Sequence, residues 1–241
     1  MINLIVDAGN TSVKLALFSK GEMLLTKHIE PNIQTFKRIY EEFEKISSIL
    51  ICDVQGLDWS FLNTIFDPKN IFILDSTWKL PFINSYKTPE TLGADRIGLI
   101  AAAVKEYPNS NVLVIDLGSC ITYDLIKEDQ TYVGGMISPG YTMRYKSLNT
   151  FTGKLPLVEN ETFTDVIGDD TKTSIQAGVF NGILHEIEGQ IEFFRQKNEN
   201  LTIILTGGDC LQLSKRLKNP IFAHPNFLVK GLDYILQFNK K

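Results

Sequence analysis

The sequence predicts an α/β protein made of two halves that open alike. Three observations carry this. Leu4-Ile5-Val6-Asp7-Ala8-Gly9-Asn10 is echoed by Leu113-Val114-Ile115-Asp116-Leu117-Gly118-Ser119, so a buried strand ends in Asp-x-Gly-polar twice. Short apolar, β-branched runs of the kind found in parallel sheets alternate with longer stretches of helical spacing. The chain has 241 residues, 44% of them hydrophobic and 22% charged, which suits one large domain or two small ones with a real core.

In the first half, residues 2–7, 12–18 and 22–29 read as strands joined by hairpin turns at Gly9-Asn10 and Lys20-Gly21, a β-meander. Residues 33–46 read as an amphipathic helix, because Phe36, Ile39, Tyr40, Phe43 and Ile46 share one face. Residues 48–53 and 71–75 are short buried strands, and the Pro-bearing stretch 76–90 is a loop. Residues 96–107 form a helix with a face of small residues, ended by Pro108-Asn109-Ser110-Asn111, where the domain boundary is placed. The expected domains are therefore 1–110 and 111–241. In the second half, 112–116, 121–126, 131–136 and 201–205 read as strands. Residues 171–197 form a long helix and 211–217 a short one.

The bulk chemistry excludes several classes. A formal net charge of −4 without a Lys/Arg-rich block argues against a nucleic-acid surface. Cys52, Cys120 and Cys210 are scattered, which speaks against a disulfide framework or a zinc knuckle. His28, His185 and His224 are equally isolated. No apolar run reaches bilayer length and Met1 leads straight into a strand without a secretory pattern, so a cytoplasmic protein without a membrane partner is expected.

The chemistry concentrates in four places. Asp7-x-Gly9-Asn10-Thr11-x-x-Lys14 places a carboxylate, a flexible turn, short donors and a cation together. Gly9 permits positive φ and close approach of a ligand, Lys14 offers a point charge to a phosphate, and Asp7 can hold a hydrated cation. A solvated Asp-Gly-Asn hairpin is the plainer alternative, and the repeat at Asp116 weighs against it. Asp116-Leu117-Gly118-Ser119 would grip a polyphosphate from the other side, or is a second structural Asx-turn. Gly207-Gly208-Asp209 ends a strand before a helix, where bare backbone would accept a flat ligand, or forms a plain β–α loop. Thr88-Pro89-Glu90-Thr91-Leu92-Gly93-Ala94-Asp95-Arg96 sets a carboxylate beside a guanidinium at a helix start. Asp95 there either takes a proton from a substrate hydroxyl or caps the helix. Arg96 can bind a carboxylate bidentately. No P-loop, dinucleotide or protein-kinase signature is present.

Two phosphate loops and an adenosine loop resemble the sugar-kinase/actin ATPase superfamily. Asp7 to Lys14, Pro89 to Arg96, Asp116 to Ser119 and Gly168-Asp169-Asp170-Thr171, in this order, resemble the type III pantothenate kinase family along essentially the whole chain. The resemblance implies two ribonuclease-H-like (actin-like ATPase) domains with a nucleotide cleft between them, a homodimer, and ATP-dependent phosphorylation of pantothenate, the first step of coenzyme A synthesis. It implies that Asp95 is the general base, while Gly93, Ala94 and Arg96 hold pantothenate, Arg96 by its carboxylate. Tyr86 matches a tyrosine that contacts the substrate, and Thr171 a threonine that reaches it from the partner subunit. Asp7, Ala8, Gly9, Asn10, Thr11, Ser12, Val13 and Lys14 match the ATP phosphate loop. Ser119 stands where the family usually has Thr, keeps the hydroxyl and would contact ATP. Asp116 matches the ligand of a monovalent cation, potassium or ammonium, and magnesium is expected to arrive with ATP. Another small-molecule kinase, or a non-catalytic regulatory relative of the same fold, are the competing readings.

Overall fold

The computed structural model describes residues 1–43, 45–159, 166–219 and 221–240. The chain forms two compact units, Met1–Asn109 with Ile126–Val133 and Asn226–Lys241, and Ser110–Leu125 with Gly134–Pro225.

The first unit begins with β1 (Ile2–Ala8), β2 (Val13–Ser19) and β3 (Glu22–Ile29), the expected meander. The turn after β2 has Lys20 at φ 51° and Gly21 at φ 84°, the left-handed pair a tight hairpin needs. Helix α1 (Ile33–Glu42) follows, capped by Asn32, whose side chain accepts from Thr35 N at 2.9 Å. It stops short of the predicted residue 46. Residues 46–53 instead form β4 (Ile46–Asp53), a run of β-branched and apolar side chains buried in the sheet. With β5 (Ile71–Ile73) the sheet order is β3-β2-β1-β4-β5, antiparallel through the meander and parallel across β1-β4-β5. Leu4, Val6, Leu15 and Leu17 pack on Phe36, Ile39, Trp59 and Leu62 on one side.

The stretch expected to be a loop contains β6 (Ile83–Asn84) and a turn of 3₁₀ helix at Pro89–Thr91. Helix α2 (Ala94–Glu106) then carries a buried face of Ile97, Gly98, Ile100, Ala101 and Ala102.

The second unit carries β7 (Val112–Leu117) and β8 (Cys120–Ile126), followed by β9 (Thr131–Pro139), α3 (Tyr141–Thr150), α4 (Thr171–Arg195), β10 (Thr202–Gly207), α5 (Cys210–Ser214) and β11 (Phe222–Ala223). Its strands run β11-β10-β7-β8-β9, with β10 parallel to both β7 and β11. The first residues of β9, Thr131 and Tyr132, belong to the first unit and pair in parallel with Ile83 and Asn84 of β6. Helix α4 lays Ile175, Val179, Ile183, Ile187 and Ile191 on Leu113, Ile115 and Ile203. Its spacing of three and four residues is that of a helix stripe facing a core.

The last helix, α6 (Phe227–Asn239), rejoins the first unit and packs on α2. The two backbones nearly touch: a Cβ at Gly231 would lie 1.8 Å from the Gly98 carbonyl oxygen. Asp233 of α6, fully buried, accepts from Asn3 Nδ2 of β1 at 2.7 Å.

Candidate active site

In the first unit, the β1–β2 register puts Asp7 directly opposite Lys14, and the β1–β4 register puts Asp7 beside Cys52. Residues directly opposite in an antiparallel pair share a face, so Asp7 and Lys14 project together. Burial pushes the Asp7 carboxyl up to about 6, Lys14 pulls it down and Asp95 raises it further. The two carboxylates, 88 positions apart, are thus electrostatic neighbours, with Lys14 between the opposing demands of charge and burial. The Cys52 thiol is held far above its ordinary range by burial and by Asp7, Asp95 and Asp53. It is therefore a packed thiol without nucleophilic use.

The loop 9–12 differs from expectation in one respect. Gly9 does not take positive φ, and a Cβ there would meet only Ser12 O at 3.6 Å. Its glycine keeps the backbone bare instead of relieving strain. The loop has a support that sequence reading missed. The Asp53 carboxylate, at the end of β4, accepts from the backbone N–H groups of Gln55, Gly56 and Leu57 and from Trp59 Nε1 at 2.7–3.0 Å. Burial pushes Asp53 up, but these donors outweigh it and hold the group below the usual carboxylate range. The turn so fixed presents Gln55, whose side-chain amide donates to the Gly9 carbonyl.

The Thr88-to-Arg96 motif runs into the start of α2. Gly93 is the N-cap and makes no side-chain cap hydrogen bond, and Asp95 is the second residue of the helix, in its first turn. Its Oδ1 accepts from Arg96 N at 2.8 Å and folds back so closely that a Cβ at Gly93 would sit 2.4 Å from it. Gly93 has ordinary backbone angles, and a side chain there would displace the Asp95 carboxylate from this position. Arg96 is buried, its guanidinium 5.7 Å from the Tyr86 ring centroid and donating to the Tyr132 hydroxyl oxygen at 2.8 Å. Tyr86 stacks on Tyr132 at 5.9 Å. The motif residues and Tyr86 therefore converge, together with Tyr132, which sequence reading did not single out.

In the second unit, Asp116 of β7 pairs with Thr206 of β10, and the following turn is tightly built. Gly140 N donates to Ser119 O at 3.1 Å, and a Cβ at Gly140 would lie 2.4 Å from Gly118 O. Gly207 has φ 92° and lies against the Leu117 backbone, where a Cβ would approach within 2.3 Å, so this position admits glycine only. Burial raises the Asp209 carboxyl above its ordinary value. Thr171 is the first residue of α4, exposed, behind Asp170, which caps the helix in a reciprocal box with Thr173. Among the described residues no cluster of three or more His, Cys, Asp or Glu side chains is arranged to hold a metal ion. Asp116, half-buried near the end of β7, offers a hard carboxylate oxygen, a donor suited to a hard cation and not to a soft transition metal.

The profile of a family described as type III pantothenate kinase matches residues 3–193. The chain belongs to the type III pantothenate kinase family. It is an enzyme, an ATP-dependent kinase that phosphorylates pantothenate for coenzyme A biosynthesis. A type III pantothenate kinase from Christiangramia forsetii is 47% identical over 242 residues, covering 99% of each chain. Another from Flavobacterium johnsoniae is 40% identical, covering 98% of this chain and 97% of that one. Among solved structures, a protein described as a Baf family transcriptional activator from Campylobacter jejuni superposes with a TM-score of 0.56 at 22% identity, covering 98% of both chains. A glucokinase from an Antarctic psychrotroph gives 0.52 at 10% identity, covering 98% of this chain and 99% of that one. These likenesses speak to fold alone, and the fold is the two-domain actin-like ATPase fold that the resemblance of the motifs implies. The resemblance of the four motifs to those of type III pantothenate kinases is thus a family relation.

Proposed function

We propose that Asp95 is the general base of this pantothenate kinase and that Asp7, Lys14 and the loop between them hold the phosphates of ATP. The observation that carries this reading is the coupling of Asp95 to Asp7 within one unit, on the surface where Lys14 also projects. The pantothenate hydroxyl oxygen attacks the γ-phosphorus of ATP, ADP leaves, and the hydroxyl proton passes to Asp95. Phosphoryl transfer of this kind needs positioning and charge neutralisation more than covalent help. Lys14 supplies positive charge to the phosphates, and Ala8, Gly9, Asn10, Thr11, Ser12 and Val13 supply loop contacts. Tyr86, Gly93, Ala94 and Arg96 hold the acceptor, Arg96 by pairing with its carboxylate. Ser119 contacts ATP.

Asp116 would hold a potassium or ammonium ion, which supplies charge near the phosphates, and magnesium would enter with ATP. The functional division of the chain lies between 1–110, with the phosphate loop and acceptor motif, and 111–241, with Asp116 and Ser119. The enzyme works as a homodimer in the cytoplasm, where ATP is made and used, with Thr171 reaching the partner's acceptor site. Exposed apolar side chains a few residues ahead of α4, Val166 at 76% and Ile167 at 83%, support a partner surface there. No helix among the described residues is long and apolar enough to cross a membrane.

The test is pantothenate-dependent ADP release in potassium and in sodium, for the wild type and Asp95→Asn. Turnover in potassium, weak turnover in sodium and a fall of about 10²–10⁴-fold in kcat for the variant are expected. Unchanged kcat in a folded Asp95→Asn would sink the base assignment. Equal rates in both salts would remove the cation from Asp116.

A further inference from the structure

We infer that Tyr132 is the positioning residue of the acceptor site: it aims Arg96 and seats Tyr86 at once. The inference rests on the reading of Arg96 as the group that binds the pantothenate carboxylate, and it adds a residue outside all four motifs. Three separate contacts meet on Tyr132. Its hydroxyl oxygen accepts from Arg96 Nη2 at 2.8 Å. Its ring stacks on Tyr86, centroids 5.9 Å apart and planes 25° apart. Its carbonyl accepts from Ser85 N at 3.0 Å, and its backbone pairs with Asn84 of β6, so the segment that leads into Tyr86 is tied to the same residue. Phe82 meets the ring edge-on at 6.4 Å, which fixes the ring from a further side. Tyr132 is itself fully buried.

The physical consequence is pre-organisation. A long guanidinium side chain loses rotamer freedom when it binds a ligand, and an anchor that has already fixed it lowers that cost. A phenol suits the task, since it accepts a hydrogen bond from the guanidinium without cancelling its charge. The stack does the same for Tyr86, whose ring also lies under the Arg96 guanidinium at 5.7 Å. Tyr132 thus acts on the acceptor through Arg96 and Tyr86.

The test is steady-state kinetics of the full chain with Tyr132→Phe, Arg96→Lys and the double variant, varying pantothenate and ATP separately. Tyr132→Phe keeps the ring, its stack and the strand pairing, and removes only the oxygen. We expect its KM for pantothenate to rise about tenfold, the loss of one hydrogen bond to a charged group, with kcat and the KM for ATP within about twofold. We expect the double variant to be no worse than Arg96→Lys alone, because the hydroxyl works through Arg96. A pantothenate KM that stays within about twofold in Tyr132→Phe while Arg96→Lys raises it overturns the inference and leaves the acceptor site standing. Parallel rises in both KM values with a lowered Tm overturn it as well, since that is the signature of a space-filling role. An unchanged pantothenate KM in Arg96→Lys overturns both the acceptor reading and the inference built on it.

Discussion

At Asp7, function is held against stability. Burial, relieved in part by Lys14 and worsened by Asp95, pushes its carboxyl up to about 6 in the folded chain. A raised acid means that the folded state binds more protons than the unfolded chain between the two pKa values. Stability therefore falls as pH rises through that window, and the full cost is present above about pH 6. The cost is on the order of 2 kcal/mol once the partial solvent access of the group is allowed for. Asp7→Asn keeps the shape and removes the charge. In ligand-free protein at pH 7.5 it should raise Tm by about 5 °C, a gain that vanishes at pH 4, where wild-type Asp7 is protonated anyway. Thermal melts across pH read this directly, and equal Tm values at pH 7.5 would mean that the carboxylate sits in no strained setting. At this scale the sequence is informative where chemistry and contiguity coincide. The Gly93-to-Arg96 stretch announces itself, but why position 93 is glycine is visible only in three dimensions, where the Asp95 carboxylate occupies the space a Cβ would need. Gly9 is the reverse case, a glycine expected for its angles that has ordinary ones.

At the scale of elements, strands and long helices with clear periods were readable, while elements specified by their neighbours were not. Helix α3 buries only Tyr141 and Tyr145 and has no stripe that a pattern would reveal. Helix α6 is apolar on several faces because it fills the gap between α2 and the first sheet, and its one carboxylate, Asp233, is buried against Asn3. Tyr132 was invisible for a related reason: it lies 36 positions from Arg96 and is delivered by a two-residue strand pairing with no sequence period. The α2–α6 crossing gives a sharp contrast between two helical glycines. A Cβ at Gly231 would lie 1.8 Å from Gly98 O and 2.8 Å from Ala102 N, backbone atoms that move only if the helices part. Gly231→Ala should cost about 3 kcal/mol or more. At Gly189, exposed in α4, a Cβ would meet nothing within 4 Å. Gly189→Ala should stabilise by about 0.5–1 kcal/mol through helix propensity. Urea midpoints of the two variants should move in opposite directions. A Gly231→Ala midpoint that does not fall would mean that the crossing has more room than its backbone distances allow.

At the scale of the whole molecule, the question is whether one chain completes its own acceptor site. Thr171 stands exposed at the first position of α4, held there by the Asp170–Thr173 capping box and by Gly168, whose bare Cα lets the preceding segment press against the Thr173–Ser174 backbone. The local structure is thus firm, and Thr171, on the same helix face as Ile175 and Val179, is exposed one turn before that face enters the core. In a two-fold dimer each lesion in one chain is felt at a defined site of the pair. Asp95→Asn and Thr171→Arg should each abolish most activity alone, the first by removing the base and the second by placing a bulky cation beside the bound acceptor. Mixed and allowed to exchange subunits, they behave differently if Thr171 serves the partner's site. A heterodimer then holds one site carrying both lesions and one site carrying neither. With equal amounts of the two variants, about half the dimers are mixed, so about a quarter of the wild-type activity should return. If Thr171 serves its own chain, every site in the mixture carries a lesion and activity stays at the sum of the two parents. Subunit exchange is scored independently by mixing chains of different mass and weighing the dimers, so a mixture that has exchanged and stays silent rules out the shared site.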